Sequence, residues 1–187
     1  METKSSVREN SRAKIVETAL ELFARNGYDR TPISMIARIA NIAQGLMYRY
    51  FPSKEALLTE IIKESMADVQ ASFDVNKDAS PLEKLEEYLN NVVRIIKTNR
   101  HFWSMFYALR TQPFLQELLS DELAEMYVNT IATLETFFDP RDPEAQHNEA
   151  LLLFSIVDGV CTNYVLAPES TPYPIEEIKE CIINKYR

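Results

Sequence analysis

The chain has 187 residues, 46% of them hydrophobic, which is enough for one large domain or two modest ones. Its only glycines, Gly27, Gly45 and Gly159, fall far below the usual share of about 7% and starve any fold that needs many tight turns, so sandwiches and barrels are disfavoured. Three scattered glycines also cannot form a GxGxxG or GxxxxGK(S/T) loop, which excludes the common dinucleotide and nucleotide-triphosphate cradles. The net charge of −8 is unevenly spread: residues 1–54 carry nine basic against five acidic residues, +4, and the other 133 carry eleven against 23, −12. A basic head on an acidic body is suited to meeting a polyanion with the head alone.

The opening residues contain no apolar run, and no uninterrupted one in the chain is longer than Ala150 to Phe154, far short of the ~18 residues of a membrane span, so a cytoplasmic protein with no membrane partner is expected. Cys161 and Cys181, with His101 and His147, make no close-spaced pair of the zinc-site kind. Both cysteines read as reduced, small core residues, and no metal or cofactor is expected.

Taken in chain order, the pattern is helical throughout. Val16, Ala19, Leu20 and Phe23 recur at i, i+3, i+4 and i+7 in a helix from about Ser11 to Asn26, closed by Asn26-Gly27. Thr31-Pro32 offers an N-cap followed by proline at the first position of a short helix through about Ala40. Asn41-Ile42-Ala43 interrupts it, and a third helix runs from Gln44 to about Tyr50. Ser53 then caps a long fourth helix whose stripe is Leu57, Leu58, Ile61, Ile62, Ser65, Met66, Val69 and Phe73. Ser80-Pro81-Leu82-Glu83 combines an N-cap, a first-position proline and a capping-box acid. Further helices are expected over Arg100 to Arg110, Pro113 to Phe138, about Asp142 to Leu166, and Ile175 to Tyr186.

Two short helices around a tight turn, with the small Ala37 at their crossing and Asn41 at a position that wants positive φ, have the form of a helix-turn-helix. Gly27-Tyr28-Asp29-Arg30-Thr31, Ile36-Ala37 and above all the run Gly45-Leu46-Met47-Tyr48-Arg49-Tyr50-Phe51-Pro52-Ser53-Lys54-Glu55-Ala56-Leu57 resemble the DNA-binding domain of the TetR family of bacterial transcriptional regulators, over about residues 11–58. The resemblance implies an all-α homodimer with two parts: a three-helix head at residues 1–53 for DNA, and a larger helical domain at 54–187 for effector binding and dimerisation. Two departures stand out: Asn41 replaces the usual turn glycine, and Ala43 replaces the usual Ser or Thr, which removes a cap worth ~1 kcal/mol.

Carried onto this sequence, the resemblance sends the N-terminal part of the third helix into the major groove. Gln44 and Arg49 have the reach and donor geometry to read adenine and guanine edges. Thr31, Tyr48, Tyr50 and Lys54 are expected on phosphates, and Gly45 permits close backbone approach. Lys4, Arg8, Arg12 and Lys14 suggest an arm that follows the backbone.

The segment from His101 to Tyr107 is apolar on nearly every side, which requires a core or a cavity around it. Trp103, Phe106, Tyr107, Met126 and Tyr127 are the expected lining of a pocket for a small hydrophobic effector. Residues 151–165 also carry too wide an apolar stripe for one core, which predicts a partner. Leu151, Phe154, Val157 and Cys161, with Ile178 and Ile182 of the last helix, are the expected homodimer face.

The function read from these features is a sequence-specific DNA-binding regulator, a repressor released from its operator by a ligand. A DNA-bound structural or division-associated adaptor is the alternative, followed by a helical lipid-binding protein or enzyme. Two histidines supply no evident nucleophile, base and orienting set, so catalysis is not expected.

Overall fold

The computed structural model describes residues 4–72, 76 and 78–187, with side chains outside 1–9 and 67–75. Ten α-helices occur among the described residues: α1 Lys4–Asn26, α2 Ile33–Ile39, α3 Gln44–Tyr50, α4 Lys54–Ser72, α5 Pro81–Thr98, α6 Arg100–Leu109, α7 Pro113–Leu118, α8 Ser120–Glu135, α9 Pro143–Leu166 and α10 Ile175–Tyr186. They fall into two compact units, one of residues up to 67 together with 101–110, the other of 68–100 and 111–187. The boundary expected at residues 53 and 54 lies at the start of α4, whereas the first unit takes in most of that helix and also α6.

The first unit is built on α1, whose Ile15, Ala19 and Phe23 are buried. Helix α1 begins seven residues earlier than its apolar stripe suggests, because nothing between Lys4 and Ser11 breaks a helix. Gly27, at φ +86°, stops it. The turn between α2 and α3 closes as a Schellman motif: the Ile42 amide bonds the Ala37 carbonyl at 2.9 Å and the Asn41 amide bonds that of Arg38 at 3.2 Å. Asn41 sits at φ 55° as expected. Ala37 and Ala40 are buried at the crossing, and Met47 of α3 is fully enclosed. Each large side chain enclosed in this way contributes about 1.5–3 kcal/mol.

The start of α2 differs from expectation. Pro32, in extended conformation at φ −74°, ψ 152°, is the N-cap, with no side-chain cap. Thr31 instead turns its hydroxyl backwards to donate to the carbonyls of Gly27 (2.8 Å) and Leu22 (3.3 Å), sealing the loop from α1. Ser53 does cap α4, its Oγ accepting from the Ala56 amide at 3.1 Å. Leu57, Leu58, Ile61 and Ile62 are buried as their spacing predicts, while the side chain of Val69 and all of Phe73 lie outside the described residues.

In the second unit α5, α8, α9 and α10 pack on one another. The capping box at Ser80 and Glu83 is formed as predicted. The helix expected over Pro113 to Phe138 is instead divided at Leu119, φ −130°, ψ 26°, where Ser120, Asp121 and Glu122 favour a new helix N-terminus. Its end tightens through i to i+3 bonds at Thr136, Phe137 and Phe138. Helix α9 is long and apolar enough to cross a membrane by length and composition, although its apolar runs are short. In the folded unit it buries Ala150, Leu153, Val157, Cys161 and Val165. Cys161 is a core residue as expected; Cys181 is exposed on α10, because its neighbours Ile182 and Ile183 take the inward face.

Asn41→Gly should leave stability unchanged, because glycine adopts positive φ freely, whereas Asn41→Val should cost about 1–2 kcal/mol. Denaturant titration checks this, and equal stability of the valine variant would contradict the role given to the turn.

Candidate nucleic-acid interface

Helix α3 is a seven-residue amphipathic element. Met47 points inward with no exposure, and the helix is stopped by Phe51, itself buried, whose amide bonds the Met47 carbonyl at 2.9 Å. Positions 44, 45, 48 and 49 are thereby turned outward: Gln44, Gly45 and Arg49 are exposed and Tyr48 is 48% exposed. Among the described residues none hydrogen-bonds or ion-pairs with the side chains of Gln44, Tyr48 or Arg49. These four residues make a continuous polar surface about two turns long, with Tyr50 half-buried at its edge.

Gly45, the second residue of α3, is informative because glycine is a poorer helix former than alanine. A Cβ built there meets nothing within 4 Å, so no packing inside the chain requires a glycine. At the N-terminus of α3, Ala43 supplies no side-chain cap, and its carbonyl accepts from the Leu46 and Met47 amides.

Behind this surface the start of α4 is pinned to the loop before α2. Lys54 Nζ donates to the Tyr28 carbonyl at 3.0 Å and lies 4.1 Å from the centroid of the Tyr28 ring. Tyr28 Oη in turn donates to Glu55 Oε1 at 3.3 Å. Burial, reinforced by the Glu55 charge, pushes the Tyr28 phenol above its ordinary range. Hydrogen bonds from its own amide and from Ser53 hold the Glu55 carboxyl below the usual carboxylate range. Thr31 is enclosed, its hydroxyl already donating to two carbonyls.

The expected basic arm is only partly described. Lys14 is exposed, the side chains of Lys4 and Arg8 lie outside the described residues, and Arg12 turns to Glu60 and Glu64 of α4. That destination had a legible signal. Glu60 and Glu64 are spaced i, i+4, so their carboxylates lie on one helix face, where a cation between them relieves their repulsion.

The five aromatic and sulfur-bearing residues expected around a ligand divide between the two units. Trp103, Phe106 and Tyr107 come together on α6, with the Trp103 and Tyr107 ring centroids 5.8 Å apart and Trp103 edge-on to Phe106 at 5.9 Å. Phe106 is buried, the other two are half-buried, and Trp103 Nε1 is enclosed without a hydrogen-bond partner. Met126 and Tyr127 lie on α8 in the second unit, where Tyr127 is edge-on to Phe154 at 5.3 Å.

The residues expected on the dimer face also divide. Val157, Cys161 and Ile182 point into the core of their own unit, while Leu151, Phe154 and Ile178 are half-buried. The outward apolar side chains of α9 are Leu152 and Leu166, 44% and 59% exposed. Gly159 lies between them, and a Cβ there would meet nothing within 4 Å.

Residues 15–61 match the model of the family described as "Bacterial regulatory proteins, tetR family". The chain is 36% identical over 74 residues to the fatty acid metabolism regulator protein of Bacillus subtilis (strain 168), a match that covers 38% of each chain and so well under two thirds of that relative. It is 25% identical over 181 residues to the transcriptional regulator AcrR of Shigella flexneri, covering 90% of this chain and 84% of that one. Its fold is that of the fatty acid degradation regulator FadR from Bacillus halodurans, with a TM-score of 0.72, 23% identity and 92% of each chain covered. The matched segment is the one that carries the Schellman turn, the outward face of α3 and the capped start of α4. Residues 15–61 are thus similar to the N-terminal segment of the tetR family of bacterial regulatory proteins, and over the rest of the chain the likeness is one of fold.

Proposed function

We propose that the chain is a transcriptional repressor that acts in the cytoplasm, binds operator DNA as a homodimer and is released by a small hydrophobic effector. The observation that carries this reading is the outward face of α3, where Gln44, Tyr48 and Arg49 have no side-chain partner among the described residues and Gly45 meets no packing demand from them. Gln44 and Arg49 read base edges. Tyr48 and Tyr50 meet phosphates. Lys54 does the same with the two N–H donors left after its bond to Tyr28, and Thr31 supports the interface by sealing the loop that Lys54 grips.

The homodimer face comprises α9 and α10. Leu152, Leu166 and the open side of Gly159 form its centre on α9, and Leu151, Phe154 and Ile178 flank it; Val157, Cys161 and Ile182 support it from the core. The effector contacts Trp103, Phe106 and Tyr107, whose enclosed indole N–H offers one polar anchor in an aromatic setting. A relative named for fatty acid metabolism supports an effector of acyl-chain chemistry.

Selection of bound sequences from random duplex DNA tests the central reading, and failure to enrich any sequence would overturn it. On an enriched operator, Arg49→Ala should relax preference at one position by about 1–3 kcal/mol, whereas Lys54→Ala should weaken all sequences alike and lower the salt slope by about one. Equal losses on operator and random DNA for both variants would refute the division of roles.

Gly159→Leu should raise local helix propensity by nearly 1 kcal/mol and leave helix content intact, yet abolish close approach of a second copy. Light scattering at micromolar concentration should find the wild type dimeric and the variant monomeric; a monomeric wild type would end the homodimer reading. For the effector, emission of the sole tryptophan, Trp103, should respond to acyl compounds, and each responding compound should weaken operator binding about 5- to 150-fold, the usual range of coupling between sites. Compounds that shift emission while operator affinity stays fixed would favour the structural adaptor.

A further inference from the structure

Within the first unit, one side chain joins three helices. Arg12 of α1 donates from Nη1 to Glu64 Oε1 at 2.7 Å and from Nη2 to Glu60 Oε1, so that its planar fork spans two carboxylates one turn apart on α4. The same guanidinium carbon lies 5.6 Å from the centroid of the Phe51 ring. Phe51 is the C-cap of α3, is 3% exposed, and is tied to the helix by its amide bond to Met47. The bond to Glu64 is the main reason why the Arg12 guanidinium is held above its ordinary range.

Two features set this contact apart from an ordinary surface ion pair. Exposed pairs contribute little to stability, because two flexible chains are fixed for a screened attraction. Here one rigid fork meets two carboxylates already aligned by the helix and lies against an aromatic ring at the end of α3. The second feature is the cost to DNA binding. Glu60 and Glu64 place two negative charges on a unit whose first 54 residues carry +4 and whose proposed partner is a polyanion. Carboxylates so placed oppose that association unless they serve another purpose.

We propose that Arg12 is a positioning residue for DNA recognition: by clamping Glu60 and Glu64 of α4 against Phe51, it fixes the orientation of α3 without touching DNA. The inference rests on the DNA-binding reading, and it gives Glu60 and Glu64 a part that opposes their own electrostatic effect. With the clamp open, α3 keeps its outward side chains but loses the fixed angle at which they enter the groove.

The test exploits this opposition of sign. Glu60→Gln/Glu64→Gln removes two negative charges, so electrostatics alone predicts tighter binding to the enriched operator. The clamp predicts binding weaker by tenfold or more. Arg12→Gln should weaken binding similarly with the slope of log affinity against log salt unchanged, whereas a phosphate contact would lower that slope by about 0.9. Arg12→Lys keeps the charge but not the fork and should recover only part of the loss.

Hydrogen exchange on the free full-length chain gives a readout that needs no DNA. Amides at residues 47–51 should exchange faster in the Glu60→Gln/Glu64→Gln variant, with those of α5 and α9 unchanged. Tighter or equal operator binding by that variant, a reduced salt slope for Arg12→Gln, or unchanged exchange at 47–51 would overturn the proposal. If the wild-type chain enriched no sequence, the DNA-binding reading would fail while hydrogen exchange still decided whether the clamp holds α3.

Discussion

The turn at Asn41 is the constraint on which the outward face of α3 depends. Two short helices must cross closely enough to bury Ala37, Ala40 and Met47, and the chain must reverse between them within four residues. A left-handed residue permits that reversal, and the two Schellman bonds satisfy carbonyls that would otherwise be left open at the end of α2. Once the crossing is fixed, the rotation of α3 about its own axis is no longer free. Met47 fills the core, so 44, 45, 48 and 49 face away. The identity of the outward residues is therefore free of the core, while their direction is set by packing elsewhere.

A second layer of order comes from charged and polar groups used internally. Lys54 and Glu55 grip Tyr28 from the first turn of α4, and Thr31 seals the loop that presents it. Arg12 grips the same helix from the other direction, two turns further along. The basic residues of the head thus divide into those turned outward, such as Arg49, and those spent on alignment. Counting positive charge along the sequence does not separate the two.

That division also marks how far the sequence could be read. The helix-turn-helix was legible because its signals are local: Asn41 for the left-handed turn, Ala37 for the crossing, Ser53 for the cap. The capping box at Ser80 was legible for the same reason. Thr31 was not, since its hydroxyl reaches Leu22, nine residues back, and a preceding threonine looks like a cap whether or not it serves as one. Helix α9 defeated the assignment of faces because it is apolar almost all round. Nothing in its periodicity separates Val157 and Cys161, which turn inward, from Leu152 and Leu166, which turn outward. Leu119 carried no breaker, and the division there follows from the helix-starting character of Ser120 to Glu122. The residues named on α3 are exposed, and their outward direction follows from Met47 and Phe51, which are buried through tertiary packing.

The two glycines within helices, Gly45 and Gly159, have a consequence for how such chains diversify. Neither is held in place by a neighbour in its own fold, since a methyl group at either position would enter open space. Selection on folding therefore cannot retain them. After a gene duplication, one copy can acquire a side chain at position 45 or 159 with its core undisturbed; under the proposed function this changes in a single step the DNA it tolerates or the copy with which it pairs. Two regulators in one cell can in this way become insulated from each other while their interiors stay alike.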